Sequence, residues 1–144
     1  MGHTCTNLLV HAIFSTKQHV PYIITEIESD LHAYLGGIIR EIGGVALAIN
    51  GTDDHIHILT CVPAKQSIAD LMCLTKTNSS RWVHERWPEH REFAWQTGYG
   101  AFSVSESAVG AAKDYISRQK EHHKKQSFQD EFRAFVRKNK IAFD

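Results

Sequence analysis

His55-Ile56-His57 and Tyr115-Ile116-Ser117-Arg118-Gln119 are the two runs whose residue types and spacing could do chemistry together. On a strand, side chains two positions apart share a face, so His55 and His57 would aim both imidazoles at one spot and turn Ile56 away. Two neutral imidazoles make half of a divalent-metal site. Asp53 and Asp54, just before them, offer an oxygen ligand or a hydrogen bond that orients a ring. On a helix, residues four apart stack, which puts Tyr115 and Gln119 on one face, with Ala112 and Ala108 one and two turns earlier. Small residues there would let the helix lie close to its support. A phenol of pKa about 10 attacks only after losing its proton, so Tyr115 as a nucleophile needs a metal or a neighbouring base. Neither motif is specific alone. Ten histidines make a chance His-x-His pair common, and a helix tyrosine is more often a half-buried packing residue.

The elements that must position these groups can be read from periodicity. Leu8, Val10, Ala12 and Phe14 alternate with Leu9, His11, Ile13 and Ser15, a strand apolar on both faces for most of its length. Thr25 and Glu28 form a capping box, Thr25 as N-cap, ahead of Ile27, Leu31, Leu35, Ile38 and Ile42 at helical spacing. Gly43-Gly44 stops that helix. Residues 45–49 read as a second strand, Asn50-Gly51 as a tight turn, and 55–62 as a third strand antiparallel to the second. Ser67 with Asp70 caps a second helix carrying Ile68, Leu71, Met72 and Leu74. Residues 93–105 are strand-like, with a bulge or bend at Gly98 and Gly100. Residues 107–122 read as one alanine-rich helix. Ser127 with Asp130 caps a short last helix with Phe128, Phe132, Phe135 and Val136 on one stripe. The order β-α-β-β-α-β followed by helices predicts an α+β, ferredoxin-like sheet, its second face open unless the C-terminal helices cross it.

At 144 residues the chain is expected to be a single domain, 1–144, with a core of its own. An apolar stripe close to residue 144 is the pattern expected of a chain trimmed at its C-terminus. Hydrophobic residues at 42% and charged ones at 22% argue against disorder. Sixteen basic and sixteen acidic residues cancel, which excludes a polybasic coat but not a local basic face. Residues 113–144 hold nine basic and five acidic side chains, so an anionic partner is expected there. Three cysteines without a CxxC pair fit a reducing compartment. No run approaches a membrane span or a signal peptide. Met1-Gly2 with Thr6 fits a myristoylation pattern, which the strand immediately behind it speaks against.

Asp54-His55-Ile56-His57-Ile58-Leu59, the later Tyr115-x-x-x-Gln119 and the run Trp95-Gln96-Thr97-Gly98-Tyr99-Gly100-Ala101-Phe102-Ser103-Val104-Ser105 together resemble the HUH endonucleases with one catalytic tyrosine. The resemblance is strongest to the transposases of small insertion sequences, with REP-associated tyrosine transposases as close cousins. It implies that His55 and His57, completed by Gln119, hold Mg²⁺ or Mn²⁺. It implies that Tyr115 attacks a scissile phosphate of single-stranded DNA beside a hairpin, leaving a 5′-phosphotyrosine and a free 3′-hydroxyl. It further implies a homodimer, in which the tyrosine helix can serve the partner's site, acting at DNA in a bacterial or archaeal cytoplasm.

A net charge of zero departs from the basic balance of most DNA enzymes. Arg118, Lys124 and Lys125 in the basic tail, and Lys65, Lys76 and Arg81 around the second helix, are the phosphate-contact candidates, each weighed against ordinary surface charge. Trp82, Trp87 and Trp95 could stack on bases, though Trp82 continues an apolar stripe. Tyr99 and Phe102 are expected to pack under the tyrosine helix. Three other readings compete: a domesticated nuclease acting on repeated genomic palindromes, a non-catalytic single-strand-binding module, and a metal hydrolase that uses water. The binding module predicts aromatic residues on the open sheet face, where the third strand instead offers His55, His57, Leu59 and Cys61.

Overall fold

In a computed structural model, residues 2–141 are described; Met1 of the Met-Gly pattern and Asp144 of the basic tail lie outside them. Strand β1 (Leu8–Ser15) leads through a short 3-10 turn to helix α1 (Thr25–Ile42), then β2 (Val45–Gly51), β3 (His55–Val62), α2 (Ile68–Arg86) and β4 (Gly100–Ser103). The sheet runs β2-β3-β1-β4, every neighbouring pair antiparallel. That is the ferredoxin-like order predicted from the pattern. Helices α1 and α2 cover one face. There Val10, Ala12, Phe14, Ile56, Ile58 and Val62 from the two central strands meet Ile27, Leu31, Leu35, Leu71 and Val83. Each fully buried aliphatic or aromatic side chain contributes about 1.5–3 kcal/mol, so this face carries most of the fold's hydrophobic stabilisation.

The alternation that sends Ile56 and Ile58 into that core sends His55 and His57 to the other face. The register sets Ile13 opposite His57 and Ser15 opposite His55, which leaves His11 diagonal to His57 on the site face. Helix α5 (Phe128–Lys138) crosses this second face, and its Phe128 and Val136 form a separate small core with Ile13 and Phe102.

Several boundaries differ from the sequence reading. Ile24, with extended backbone and no side-chain hydrogen bond, is the N-cap of α1, and Thr25 is already helical, so the capping box does not form. Asn50 and Gly51 remain in β2, paired with His57 and Ile56; the turn falls two residues later, closed by Thr52 N–H donating to the His55 carbonyl at 3.1 Å. Only residues 100–103 of the predicted 93–105 strand join the ladder. Gly98 has φ of +90°, and the stretch before it is held instead by the Trp95–Thr16 bridge and by Lys76.

The predicted helix 107–122 is divided. A 3-10 turn at 106–108 precedes α3 (Val109–Ser117), Arg118 leaves helical geometry at φ −103°, ψ 20°, and a single turn, α4 (Gln119–His122), follows. The break has a partner. Asn50, facing the site side of β2, donates from Nδ2 to the carbonyls of Ile116 and Ser117 at 3.0 and 3.2 Å. The predicted caps at Ser67 and Ser127 form, each side chain accepting from the N–H three residues on.

Candidate active site

His55 and His57 stand on β3 with ring centroids 5.1 Å apart, both fully buried. Asp54, in the tight turn before β3, faces His55 Nδ1 at 2.8 Å, and Thr52 braces the pair from 2.9 Å. Burial alone would raise the Asp54 carboxyl, but the hydrogen bonds from His55 and Thr52 hold it below its ordinary range. Of the two aspartates singled out from the sequence, Asp54 therefore orients a ring. His57 Nδ1 lies 2.7 Å from His11 Nε2, and its own Nε2 lies 2.9 Å from Glu131 Oε1.

Glu131 is the centre of the site. It sits on α5 at 1% exposure, an acid inside the stripe of Phe128, Phe132 and Phe135. Besides His57, Oε1 receives His123 Nε2 at 3.1 Å and lies 3.7 Å from His55 Nε2. Oε2 accepts from the Tyr115 hydroxyl and from Gln119 Nε2 at 3.2 Å. Tyr115 and Gln119 thus converge as the helical spacing predicts, although the helix breaks between them. The Tyr115 ring also stacks on His122, 4.5 Å between centroids.

Residue placement elsewhere is mixed. Lys65, Lys124 and Lys125 are exposed. Arg118 is exposed and pairs with Asp114 at 3.4 Å; Arg81 donates to Asn78 at 3.0 Å. The Lys76 ammonium is engaged by the Gln96 and Gly98 carbonyls at 2.6 and 2.7 Å, where it ties α2 to the loop before β4. The tryptophans turn inward: Trp82 stacks on Tyr34, Trp87 is buried, and Trp95 packs edge-on to Phe14 and Phe93. Phe102 lies under α5 against Phe135, rather than under the tyrosine helix, and Tyr99 is 40% exposed. β4 brings Phe102 to the edge that α5 crosses, while α3 lies over β2 and β3.

The donor set fits a divalent cation. One atom each from His55, His57, His123 and Glu131 lie within 4.8 Å of one another. An ionised Asp54 can only accept, so His55 carries a proton on Nδ1, and its Nε2 faces the Gln119 amide oxygen 3.1 Å away. Flipping that amide would pair it with His55 but set its oxygen against Glu131 Oε2. With a neutral His55 either orientation sets two acceptors face to face, a conflict that a proton or a bound cation at Nε2 removes. Three imidazoles and an amide oxygen are suitable ligands for it, with the Glu131 carboxylate the anion beside them.

The cluster also couples stability to pH. Burial, and then the neighbouring His57, lowers His11 to about 3; burial lowers His57 to about 4, against the opposing pull of Glu131. In the unfolded chain both rings take a proton near pH 6.5. The unfolded state therefore binds more protons below that value, and stability falls as pH drops from about 6.5 towards 4, by up to about 1.4 kcal/mol per pH unit for each ring. Glu131, which burial would raise but which His57 and Tyr115 hold well below its usual range, adds to the loss at still lower pH. Thermal melts in chelator at pH 7.5, 6.0 and 5.0 should show Tm falling at each step. A Tm constant down to pH 5 would mean that these rings are protonated in the fold.

A ferredoxin-like sheet that sets a His-hydrophobic-His pair beneath a tyrosine-bearing helix defines the single-tyrosine HUH class of DNA transposases. The model of the family described as "Transposase IS200 like" matches residues 4–119, and the chain belongs to that family. It is 25% identical over 114 residues to the ISDra2 transposase TnpA of Deinococcus radiodurans, covering 76% of this chain and 81% of that one. It is 28% identical over 134 residues to the transposase for insertion sequence element IS200 of Salmonella typhimurium, covering 86% and 84%. Two solved structures share the fold. A candidate transposase of Deinococcus radiodurans R1 superposes with a TM-score of 0.66 at 23% identity, over 83% of this chain and 96% of the other. A REP-associated tyrosine transposase bound to a REP hairpin gives 0.64 at 12%, over 85% and 72%. The protein is accordingly a DNA strand transferase and endonuclease. Among the described residues no helix is long and apolar enough to cross a membrane.

The sequence reading missed His11, His123 and Glu131. Glu131 carried a signal: a carboxylate on an otherwise apolar helical stripe is costly unless it has buried partners. His123 stands beside Lys124 and Lys125, whose signal is charge, and His11 lies in a strand whose signal is hydrophobicity.

Proposed function

We propose that this chain cleaves and rejoins single-stranded DNA at hairpin-marked element ends, through a phosphotyrosine formed on Tyr115. The observation that carries the reading is that one anion, the Glu131 carboxylate, touches both the His57 imidazole and the Tyr115 hydroxyl. A phosphodiester in the same place would meet a nucleophile and a cationic centre together. His55 and His57, with Gln119 and His123, would hold Mg²⁺ or Mn²⁺, and the nitrogen-rich set favours Mn²⁺. Such an ion polarises the phosphoryl oxygens and stabilises the charge developing on them.

Tyr115 supplies the attacking atom. Its oxygen bonds to phosphorus, the bond from phosphorus to the 3′ oxygen breaks, and the proton lost by the phenol balances the one gained by the leaving 3′-hydroxyl. With Glu131 in contact the phenol is held in its protonated form, because burial, and then the adjacent carboxylate, raises its pKa above the ordinary 10. Asp54 orients the His55 ring, and once Glu131 no longer accepts from His57 Nε2, His11 can accept from His57 Nδ1 and leave Nε2 free for the ion. The free 3′-hydroxyl reverses the step on a second strand, so no external energy source is required. The reading includes a single domain over 1–144, a homodimer, and action at DNA in a bacterial or archaeal cytoplasm.

The test is to incubate the protein with a library of hairpin-bearing single strands and Mn²⁺, then map denaturation-resistant adducts by peptide mass. The expected result is DNA linked to the peptide containing Tyr115, from a species that sediments as a dimer. Cleaved DNA with no linked peptide would replace this reading with hydrolysis by water.

A further inference from the structure

Cleavage requires one phosphodiester to reach the imidazoles and the Tyr115 oxygen at once, yet His55, His57 and Gln119 are each 0% exposed. What covers them is α5. This helix lies beyond the span of the family match, which ends at residue 119. It holds to the sheet through its own small core rather than the main one, and cavities flank it. One of about 640 Å³ opens between Ala108, Ala112, Tyr115 and Phe135. Another of about 440 Å³ opens beside Ile13, Tyr99 and Phe132.

Glu131 makes the contacts that a substrate phosphate needs. Oε1 faces the His57 and His123 nitrogens at 2.9 and 3.1 Å, while Oε2 accepts from Tyr115 and from Gln119. A carboxylate and a phosphodiester each carry one negative charge spread over two oxygens, so either satisfies the same ring of donors.

We propose that α5 is an autoinhibitory lid, and that Glu131 occupies the place of the scissile phosphate until single-stranded DNA displaces it. The inference rests on the transposase reading of the site. The lid is connected through 123–127, where Lys124 and Lys125 are exposed and able to meet an incoming strand before the helix lifts. Its first turn is held by Ser127, whose side chain accepts from Asp130 N–H at 3.2 Å. While the lid is closed, the apparent affinity for DNA is reduced by the fraction of molecules that are open.

The test uses the full chain with Mn²⁺ and a fluorescein-labelled hairpin carrying a single-stranded tail. It reads DNA affinity by anisotropy, amide exchange over residues 128–138, and the rate of adduct formation. DNA should speed exchange across 128–138 in the wild type. Ser127→Ala, by weakening the helix cap, should tighten binding up to about fivefold. Glu131→Ala should tighten it tenfold or more and speed the adduct. Exchange over 128–138 that DNA leaves unchanged or slows would overturn the lid. So would a Glu131→Ala protein that binds no tighter and forms no adduct, which would make Glu131 part of the chemistry. Tighter binding with α5 released but no adduct in any form would keep the lid and remove the phosphotyrosine step.

Discussion

Tyr115→Phe should bind hairpin DNA at least as tightly as the wild type and form no covalent adduct, a loss of at least about 10⁴-fold in rate. Removing a nucleophile that no neighbour can replace produces losses of this order. The substitution deletes one oxygen and keeps the ring that stacks on His122 and meets His57 and Phe135 edge-on. The imidazoles, Gln119 and the exposed lysines keep their places. Glu131 Oε2 loses one donor but retains Gln119, so the expected cost in stability is only about 1 kcal/mol. An adduct that persists at full rate would move the nucleophile elsewhere, with the exposed Tyr99 the next residue to map. Cleavage at full rate without an adduct would assign the attack to water.

His57→Ala should abolish cleavage, by about 10³-fold or more, at every Mn²⁺ concentration. Metal-assisted charge stabilisation is worth several kcal/mol, and each 1.4 kcal/mol is a decade in rate. This change also removes the partner of His11 Nε2 and one of the partners of Glu131 Oε1 inside the fold, so about 2–4 kcal/mol of stability goes with it. Folding must therefore be checked by circular dichroism at the assay temperature, and Mn²⁺ affinity measured by calorimetry on the folded fraction. Gln119→Ala is the informative contrast. It removes a neutral amide and leaves all three imidazoles, so partial cleavage should survive and recover at high Mn²⁺. A folded His57→Ala protein with wild-type Mn²⁺ affinity would place the metal away from β3.

The two backbone periods explain which parts of this architecture are legible in the chain itself. Alternation in Leu8–Ser15 and His55–Val62 is a local property, and it already separates Ile56 and Ile58 from His55 and His57. Helical spacing in α1 and α5, the caps at Ser67 and Ser127, and the stop at Gly43 are equally local. The His-x-His strand and the Tyr-x-x-x-Gln helix are each legible because each motif lies within five residues, whereas their pairing rests on the resemblance to the single-tyrosine HUH endonucleases.

The remaining features depend on contacts between distant segments. The break at Arg118 is matched by an Asn50 side chain more than sixty residues away. Ile24 rather than Thr25 takes the N-cap of α1 in a loop that is tied to the distant turn before β3 by Ile23 N–H donating to the Asp53 carbonyl at 2.9 Å. Above all, the meeting of His11, His57, His123 and Glu131 depends on how α5 docks across the sheet. A sequence gives the faces of its strands and helices, because those follow from backbone geometry over a few residues. It does not give the angle and depth at which one face settles on another, because side-chain packing summed over the whole chain sets those. Tyr115 and the His-x-His pair could therefore be named from the sequence, whereas the carboxylate that joins them came only from the tertiary structure.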